Sequence, residues 1–543
     1  MSILLLALGL RLWGIGTGMP YSYAVDEAAH FVKRAVLMFD EGLHPRWFVN
    51  PPAFTYLLHG VFAVFSFGGR GMAEQFLRDP EPVWLLARGL SAVSGVAAVG
   101  VLYMAGTKFF NRRTGLIAAL ILAVAFLPVF YGHFALNDSP LLLPTAGALV
   151  GIAGVISTGA RRWYLLAGAS FGLAAATKYS AGIVGVALLL AFLPRAKQEW
   201  KRMALAGLVA LAAFVIANPY SVIDFPTFAD GVAHQAEASA AAGGKVGQIG
   251  TGGAPFYIGA LGWGVGVIPL VFALGGAVLL AVKDRRRALA LVVPVILFLI
   301  FMGTYSRWFG RWVMPVIPFV CLLAAWGADR LIERIPARGY LRPALGALLV
   351  AALTAQGLLD SIHLGQVFER RDTRAIARSW MRENLPQGSR IVVEPGVVPQ
   401  RWLGRTISYS QPYDLTQQQR SKRKPWRVLS RDGTFNERPE DYQASLKPSL
   451  VDVYRSQGWC IVMTASTQRG RLERDPKGLG GAIGYYNAIE RKGKLLFSVA
   501  PWADPKDAVP FDYDGSFNYR DSAYRRPGPE IRIYRLRGFR CGY

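Results

Sequence analysis

Residues 84–110 read WLLARGLSAVSGVAAVGVLYMAGTKFF, and the basic stretch Asn111-Arg112-Arg113 follows at once. A bilayer core needs roughly 20 predominantly apolar residues in helical form, so this run is long enough to cross a membrane. Its many small residues favour close approach between neighbouring membrane helices. The basic residues behind it mark the end that stays in the cytoplasm. This segment predicts an α-helical membrane protein.

The composition of the whole chain agrees with that prediction. Of 543 residues, 52% are hydrophobic and only 17% are charged, whereas soluble globular chains carry roughly 25% charged residues. Ten further apolar runs occur before residue 361, which gives eleven predicted spans in total. These ten runs are Ile3–Gly16, Gly115–Tyr131, Pro140–Ser157, Trp163–Thr177, Ala181–Leu193, Met203–Ala217, Pro255–Val282, Ala288–Gly303, Trp312–Leu331 and Pro343–Leu359.

The connections between the runs predict the orientation. Alternate connections carry 17 basic residues, and the opposite short connections carry only Lys178, Lys245, Arg307 and Arg311. The positive-inside rule therefore places the basic connections in the cytoplasm. An odd number of spans then puts the chain after Leu359 outside the cell membrane. The basic residues are Lys108, Arg112, Arg113, Arg161, Arg162, Arg195, Lys197, Lys201, Arg202, Lys283, Arg285, Arg286, Arg287, Arg330, Arg334, Arg338 and Arg342.

The net charge of +25 raises the question of nucleic-acid binding. Much of this charge lies in the cytoplasmic connections, where it sets the topology, and the remainder lies after residue 362. Because the charge is divided in this way, we expect no nucleic-acid partner. A basic outer domain fits contact with anionic lipid or wall polymer, and a solvated surface near a negative membrane explains it equally well.

The sequence predicts two domains. Residues 1–362 form a polytopic membrane domain, in which residues 17–83 are an extracytoplasmic loop. Two stretches of this loop, Glu27–Phe39 and Ala53–Phe67, are predicted to lie along the membrane surface, with a span as the alternative for the second. Residues 363–543 form a soluble extracytoplasmic α/β domain. Its strand-like runs are Ser389–Glu394, Trp459–Ala465, Leu495–Ala500 and Glu530–Leu536.

The three cysteines are too few for a disulfide scaffold. Cys460 and Cys541 both fall in the predicted outer domain, where an oxidising compartment permits pairing. Because Cys460 lies in a predicted strand, we expect a buried free thiol there, with a Cys460–Cys541 disulfide as the alternative.

Carboxylates in the outer loops are the first candidates for chemistry. Asp26 and Glu27 follow the first span directly, and a solvated helix start is the alternative explanation for them. Asp138 lies in a short outer connection before Pro140, where an N-cap role is the structural alternative. A positioned carboxylate suits removal of a proton from an acceptor, or metal binding.

Cations in the outer loops are the second group of candidates. Lys178, followed by Tyr179, is the only charge in its connection, and snorkelling to lipid phosphate is the alternative role. Arg307 and Arg311 stand among aromatic residues, where guanidinium groups can clamp a phosphate. Interface anchoring by the neighbouring tryptophans is the competing interpretation. Acidic and basic side chains on one face of one helix bundle are the groups that transfer from a phosphorylated lipid requires.

Five segments in the membrane half resemble, in order, the GT-C superfamily of membrane glycosyltransferases. The similarity is to the protein O-mannosyltransferase-like group, which includes the lipid A aminoarabinose transferases. The segments are Arg11–Gly14 with Asp26-Glu27, Asn50–Pro52 with Tyr56–Leu58, His133–Pro140, Gly172–Tyr179, and Arg307–Pro318.

This resemblance implies a polyprenyl-phosphate-linked sugar as donor, with an acceptor that is a protein hydroxyl, a glycolipid or a polysaccharide. The active site is then expected between the first and second outer loops, with no nucleotide. Asp26 carries over as the base or acceptor-orienting acid with Glu27 beside it, and Asp138 as the second acid. A divalent cation, Mg²⁺ or Mn²⁺, shared by Asp26 and Asp138 is compatible with the family pattern.

The resemblance also assigns the remaining candidates. Lys178 with Tyr179, together with Arg307 and Arg311, are expected to contact the donor phosphate, and His133 belongs to the second acidic loop. Asn50 departs from the family, where a His or Lys commonly precedes the Pro-Pro pair. His44 or His30 is a possible substitute for that residue.

Two other functions are compatible with parts of the sequence. A membrane transporter usually places ionisable groups near the middle of the membrane, whereas these cluster at one face. A non-catalytic protein that binds cell-wall polymer would not require both Asp26 and Asp138. The expectation is therefore a multi-pass plasma-membrane glycosyltransferase.

The predicted topology can be tested with single cysteines at Lys197 and Lys506. In intact spheroplasts, a membrane-impermeant maleimide should label Lys506→Cys above the unsubstituted chain, because this residue lies in the predicted outer domain. Lys197→Cys should be labelled only after the membrane is permeabilised. The reverse pattern would contradict the orientation.

Overall fold

A computed structural model describes residues 1–240, 253–336, 340–386, 389–394, 408–410, 446–456, 458–474, 480–508 and 521–538. The structure divides into two compact units. The first unit comprises Met1–Ile15, Ala29–Ala242 and Thr251–Gly365, and the second includes Gly16–Ala28 and Gln366–Tyr543. The segment after the first helix, which carries Asp26 and Glu27, therefore belongs to the second unit.

The first unit is helical. Three short 3₁₀ turns, Tyr179–Gly185, Leu193–Arg195 and Gly310–Val316, connect some of its helices. In chain order the helices are α1 Ser2–Leu12, α2 Val25–Ala29 (mostly in the second unit), α3 Phe31–Glu41, α4 Ala53–Phe65, α5 Met72–Arg78, α6 Glu81–Phe109, α7 Arg112–Val124, α8 Phe126–Gly132, α9 Leu142–Thr158, α10 Arg161–Thr177, α11 Val186–Phe192, α12 Ala196–Ala217, α13 Tyr220–Ile223, α14 Phe225–Ala240, α15 Gly253–Val265, α16 Val267–Lys283, α17 Arg285–Gly303, α18 Ile317–Arg334 and α19 Leu341–Phe368.

Several of these helices have the length and hydropathy of membrane spans. Within the described residues, five helical segments are long and apolar enough to cross a membrane, or up to seven if two bent pairs each count as one span. Shorter apolar helices include α1, α4 and α9. The eleven spans remain a prediction. The five segments are Glu81–Phe109, Tyr179–Ala217, Arg285–Gly303, Gly310–Arg334 and Leu341–Asn384.

The segment Pro255–Val282, predicted as one span, is broken in the structure. The chain bends by 116° between helices α15 and α16. Gly266 at the bend has a φ of +119°, which only glycine adopts without strain. Gln356 of α19 accepts a hydrogen bond from the Val267 amide at 2.9 Å and donates one to the Gly262 carbonyl at 3.3 Å. The Gln356 side chain thus satisfies the Val267 amide at the start of α16, and it adds a second hydrogen bond to the Gly262 carbonyl, which already accepts one from the Gly266 amide at 3.1 Å.

The predicted span Gly115–Tyr131 is also bent. The chain bends by 55° between helices α7 and α8. The Ser361 hydroxyl of α19 donates a hydrogen bond to the Val124 carbonyl at 3.0 Å. Helix α19 therefore supplies a polar side chain at both breaks. A hydropathy pattern does not reveal such breaks, because apolar residues continue through them.

Close packing between the helices depends on glycine, as expected for membrane helices. A Cβ atom added at Gly327 would lie 2.7 Å from the Phe272 carbonyl oxygen, and one at Gly276 would meet the Leu323 carbonyl. Helices α16 and α18 pack against each other along this line. A larger side chain at either position would push the two backbones apart.

The second unit contains a five-stranded mixed sheet in the order β2-β1-β3-β5-β4. Strands β1, β2 and β3 are mutually parallel where they pair, and β5 runs antiparallel to β3 and β4. Four strands coincide with the predicted runs. The elements are α20 Thr373–Asn384, β1 Arg390–Val393, β2 Ser408–Ser410, α21 Leu450–Ser456, β3 Ile461–Ala465, α22 Ser466–Arg474, α23 Gly480–Lys492, β4 Gly493–Val499 and β5 Ile531–Leu536.

Strand side chains alternate between two hydrophobic cores, as the period of two in a strand dictates. Ile391 and Val393 of β1 enter one core with Met381 of α20, and Val392 enters the other with helices α21 and α23. Tyr23, from the segment before α2, lies in the same core as Met381. The sheet is therefore covered by helices on both faces.

Cys460, directly before β3, is disulfide-bonded, so the expectation of a free thiol is wrong. The argument from strand burial failed because a disulfide also tolerates a buried position. Cys321 is the one free cysteine in the described part of the chain, and it is buried in α18.

Glu394, directly after β1, is a fully buried carboxylate in the second unit. It accepts hydrogen bonds from the Tyr486 hydroxyl at 2.5 Å and from the Ala465 amide at 2.7 Å. Burial raises the pKa of Glu394 to about 7, although both hydrogen bonds oppose the rise. This carboxyl group connects the ends of β1 and β3 to helix α23.

The pKa of Glu394 predicts a pH-dependent stability. From pH 4.5 to about 7 the folded state retains a proton that the unfolded chain has released, so stability should fall as the pH rises through this window. Glu394→Gln should remove most of the dependence. Hydrogen exchange of β1 and β3 amides, corrected for intrinsic rates, measures it, with the exposed Glu383→Gln as control. An unchanged pH profile in Glu394→Gln would contradict this assignment.

Candidate functional site

Asp138 lies in the connection between α8 and α9, and the residues around it are held in place by backbone groups. The His133 ring is fully buried, with Nδ1 at 2.8 Å from the Val129 carbonyl and Nε2 at 3.0 Å from the Trp13 carbonyl. The Ser139 hydroxyl donates to the Ser91 carbonyl at 2.9 Å. These contacts support a packing role for His133.

The structure brings Asp138 and Lys178 together. The Lys178 ammonium donates a hydrogen bond to Asp138 Oδ1, and the side chains are only 14% and 2% exposed. One residue earlier in each segment, the Asn137 side-chain amide donates to the Thr177 carbonyl at 2.6 Å. Two consecutive cross-links thus join the connection before α9 to the end of α10.

Asp138 is not the N-cap residue of α9 in the structure, so the alternative role does not apply. Helix α9 begins at Leu142, and its N-cap residue Leu141 makes no side-chain capping bond. The partner of Asp138 is instead a cation forty residues away. Removing one member of a buried ion pair typically costs about 3–5 kcal/mol, because the other charge remains without compensation.

Tyr179 connects this region to the loop before α4. Its hydroxyl donates to the Phe48 carbonyl at 2.9 Å, two residues before the half-buried Asn50. In the same loop, His44 Nε2 lies 2.8 Å from Asp224 Oδ2, and this hydrogen bond lowers the pKa of Asp224. His44 is thus engaged with an acid from a later loop.

Arg307 and Arg311 lie in an aromatic segment between α17 and α18. The Arg311 guanidinium is 5.3 Å from the centre of the Phe309 ring, and the Trp308 indole donates to the Tyr305 carbonyl at 2.6 Å. The turn Gly310–Val316 packs against the turn Tyr179–Gly185. The Arg311 segment is therefore a direct neighbour of the segment that follows Lys178.

Asp26 and Glu27 occupy the first turn of α2, in the second unit. Glu27 is fully buried and accepts a hydrogen bond from the Ser22 hydroxyl at 2.6 Å, whereas Asp26 is half-buried. A solvated helix start, the alternative for this pair, does not describe Glu27. The predicted convergence of Asp26 with Asp138 remains a prediction.

A metal site is not evident in the residues that the structure describes. No group of three or more His, Cys, Asp or Glu side chains occurs among them with a spacing that could hold a metal ion. Asp138 already carries the Lys178 ammonium, which would repel a divalent cation at the same carboxylate. The surroundings of Asp138 therefore fit a cation site poorly.

Sequence reasoning selected Asp138, Lys178 and Tyr179 but missed the partners that fix them. Asn137 and Phe48 act through a side-chain amide and a backbone carbonyl, respectively. Asn137 could have been identified from the sequence, because a polar residue in a predicted connection at the membrane face needs a hydrogen-bond partner. Nothing in the sequence indicates the contribution of the Phe48 carbonyl.

The Asp138–Lys178 pair can be tested by a double-mutant cycle. Asp138→Leu and Lys178→Met should each lower the thermal stability of the detergent-solubilised protein, since each leaves a buried charge alone. The double variant should recover part of that loss. Lys197→Met, an exposed lysine on α12, serves as control. Additive losses would contradict the pairing.

Similarity to known proteins was found at the levels of sequence family and fold. Residues 84–223, which include both Asp138 and Lys178, match the family Dolichyl-phosphate-mannose-protein mannosyltransferase. The oligosaccharyltransferase of Archaeoglobus fulgidus in its apo form has a similar structure, with a TM-score of 0.57 at 12% identity over 95% of this chain and 75% of that chain. No curated protein matches the chain by sequence.

A second similar structure is ArnT from Cupriavidus metallidurans bound to undecaprenyl phosphate. It has a TM-score of 0.54 at 16% identity, over 88% of this chain and 94% of that chain. A third is the A. fulgidus oligosaccharyltransferase AglB in complex with an inhibitory peptide and a dolichol-phosphate, with a TM-score of 0.52 at 14% identity, over 92% of this chain and 72% of that chain. At these identities the likeness establishes the fold. The chain therefore shares the fold of these structures, and its resemblance to the GT-C glycosyltransferases is confirmed at the level of the fold.

Proposed function

We propose that the protein transfers a sugar from a polyprenyl-phosphate-linked donor to an acceptor hydroxyl at the outer face of the membrane. The observation that carries this proposal is the buried Asp138–Lys178 pair, which lies within the stretch that matches the mannosyltransferase family. The A. fulgidus and C. metallidurans structures that share the fold were solved with dolichol-phosphate and undecaprenyl phosphate, respectively. Their ligands support a lipid-phosphate donor here.

Lys178, Arg307 and Arg311 are the proposed contacts of the donor phosphate. A phosphate that leaves with its negative charge needs cations that are already in place. Asp138 holds the Lys178 ammonium in position, and Tyr179 anchors the turn that packs against the Arg311 segment. Asp138 therefore acts in this scheme by orienting a lysine.

Asp26 is the proposed general base. It accepts the proton of the acceptor hydroxyl while the hydroxyl oxygen forms a bond to the anomeric carbon. The bond from that carbon to the phosphate oxygen breaks, and the polyprenyl phosphate departs with the electron pair. Attack opposite the leaving group inverts the anomeric configuration. Glu27, held by Ser22, orients the turn on which Asp26 lies.

No step in this scheme runs through a metal ion or a nucleotide. One A. fulgidus structure of this fold is a complex with Zn and sulfate, so a divalent cation is compatible with the fold. In the present chain the Lys178 ammonium is hydrogen-bonded to Asp138, one of the two carboxylates expected to share such a cation. The basic side chains supply the neutralising charge instead.

The second unit is proposed to lie outside the cytoplasm. The disulfide at Cys460 supports this placement, because disulfides persist in oxidising compartments. The acceptor, whether a protein, a glycolipid or a polysaccharide, would then meet the donor on the same side of the membrane.

Replacement of Asp26 by Asn tests the proposed base. In nanodiscs with a panel of polyprenyl-phosphate sugars and candidate acceptors, the wild type should release polyprenyl phosphate. Asp26→Asn should lose at least about 10²-fold in kcat, the scale of a missing general base. Asp40→Asn, an exposed acid of the same loop, is the matched control and should keep its activity.

Two results would contradict the proposal. Activity of Asp26→Asn close to that of the wild type would remove Asp26 from the role of base. Absence of any turnover or slow hydrolysis by the wild type across the whole donor panel would argue against sugar transfer itself.

A further inference from the structure

The segment that carries the proposed base is part of the hydrophobic core of the second unit. Tyr23, three residues before Asp26, is 8% exposed and lies in the core with Ala377 and Met381 of α20 and Ile461 of β3. The segment Gly16–Ala28, which follows α1 in the chain, thus contributes a side chain to the core of the second unit. This burial restricts the positions that the segment can adopt.

Helix α20 contacts the Tyr23 ring through the buried side chain of Arg374. The Arg374 guanidinium carbon lies 4.1 Å from the centre of the Tyr23 ring, a cation–π geometry that gains strength where water is excluded. The same guanidinium donates to both oxygens of Asp372, at 2.8 and 2.7 Å. This bidentate pair fixes the arginine in one orientation.

A second contact of the same kind lies beside the first. The Arg378 guanidinium carbon is 5.2 Å from the centre of the Tyr21 ring, and Arg378 stands one helical turn after Arg374. The two tyrosines flank Ser22, whose hydroxyl donates to the buried Glu27 carboxylate at 2.6 Å. The contacts therefore run from α20 through the tyrosines to the turn that bears Asp26.

We propose that the second unit serves as a positioning element for the proposed base, and that Tyr23 and Arg374 are its positioning residues. This inference rests on the proposed role of Asp26. The tyrosine ring and the Ser22–Glu27 bond restrict the segment to one conformation, so Asp26 is held in one place. A displacement of about 1 Å can reduce a rate about 10²-fold, which explains why an extracytoplasmic domain would hold this loop so firmly.

The test compares Tyr23→Leu, Tyr23→Phe and Arg374→Met in the full chain, reconstituted with the polyprenyl-phosphate sugar that the wild type turns over. Tyr23→Leu retains apolar burial but removes the aromatic face, and Arg374→Met removes the cation. Each should reduce kcat roughly tenfold or more while the KM for the donor stays within about threefold, since the proposed phosphate contacts lie in the first unit. Tyr23→Phe retains the ring and should behave as wild type.

Arg382→Met is the matched control, since this arginine is exposed on the same helix. Hydrogen exchange provides an independent readout. In Tyr23→Leu and Arg374→Met, peptides covering residues 16–28 should exchange faster, while those covering β3 should match the wild type. Equal deprotection of β3, or a parallel rise in the KM for the donor, would show general damage and overturn the positioning role.

Asp26→Asn in the same series separates the two proposals. If Asp26→Asn is inactive while Tyr23→Leu keeps kcat within about twofold of the wild type, the positioning role is wrong and the proposed base stands. If Asp26→Asn retains normal turnover, the base and its positioning both fail. Loss of kcat in both variants, with an unchanged KM and an intact β3, supports the inference.

Discussion

A buried carboxylate is stable only with a partner, and in this protein the partner of Asp138 is a lysine from another connection. The Asp138–Lys178 pair joins the approach to α9 with the end of α10, and the Asn137–Thr177 bond beside it removes the remaining freedom. Because Lys178 ends α10, its neighbour Tyr179 is directed to the Phe48 carbonyl. This pair and the bonds beside it therefore link three segments of the first unit: the approach to α9, the end of α10 and the loop before α4.

The two units hold their acids by different physical means. In the first unit an ion pair and side-chain amides act between helix ends. In the second unit the Tyr23 ring lies in a hydrophobic core beside Arg374, and the buried Glu27 accepts a hydrogen bond from Ser22. In the proposed scheme, proton transfer and charge neutralisation both depend on groups that are held in place before the substrate arrives.

Much of this architecture is accessible from the sequence, because hydropathy and charge act over whole segments. The short apolar run within Ser389–Glu394 predicts β1, and the apolar run after Trp84 predicts α6. The break at Gly266 is hidden, since apolar residues continue through it and the satisfying group, Gln356, is ninety residues away. Burial of Tyr23 in the second unit is hidden for the same reason. A sequence names the acids and cations, but long-range partners decide which of them meet.

The most direct measurement is a cryo-EM structure of the full chain in a nanodisc with undecaprenyl phosphate. The account predicts the lipid phosphate within hydrogen-bond distance of Lys178 and of Arg307 or Arg311, with the Asp26 carboxylate facing the space where the sugar would lie. A phosphate bound elsewhere, or Asp26 turned away from it, would contradict the account.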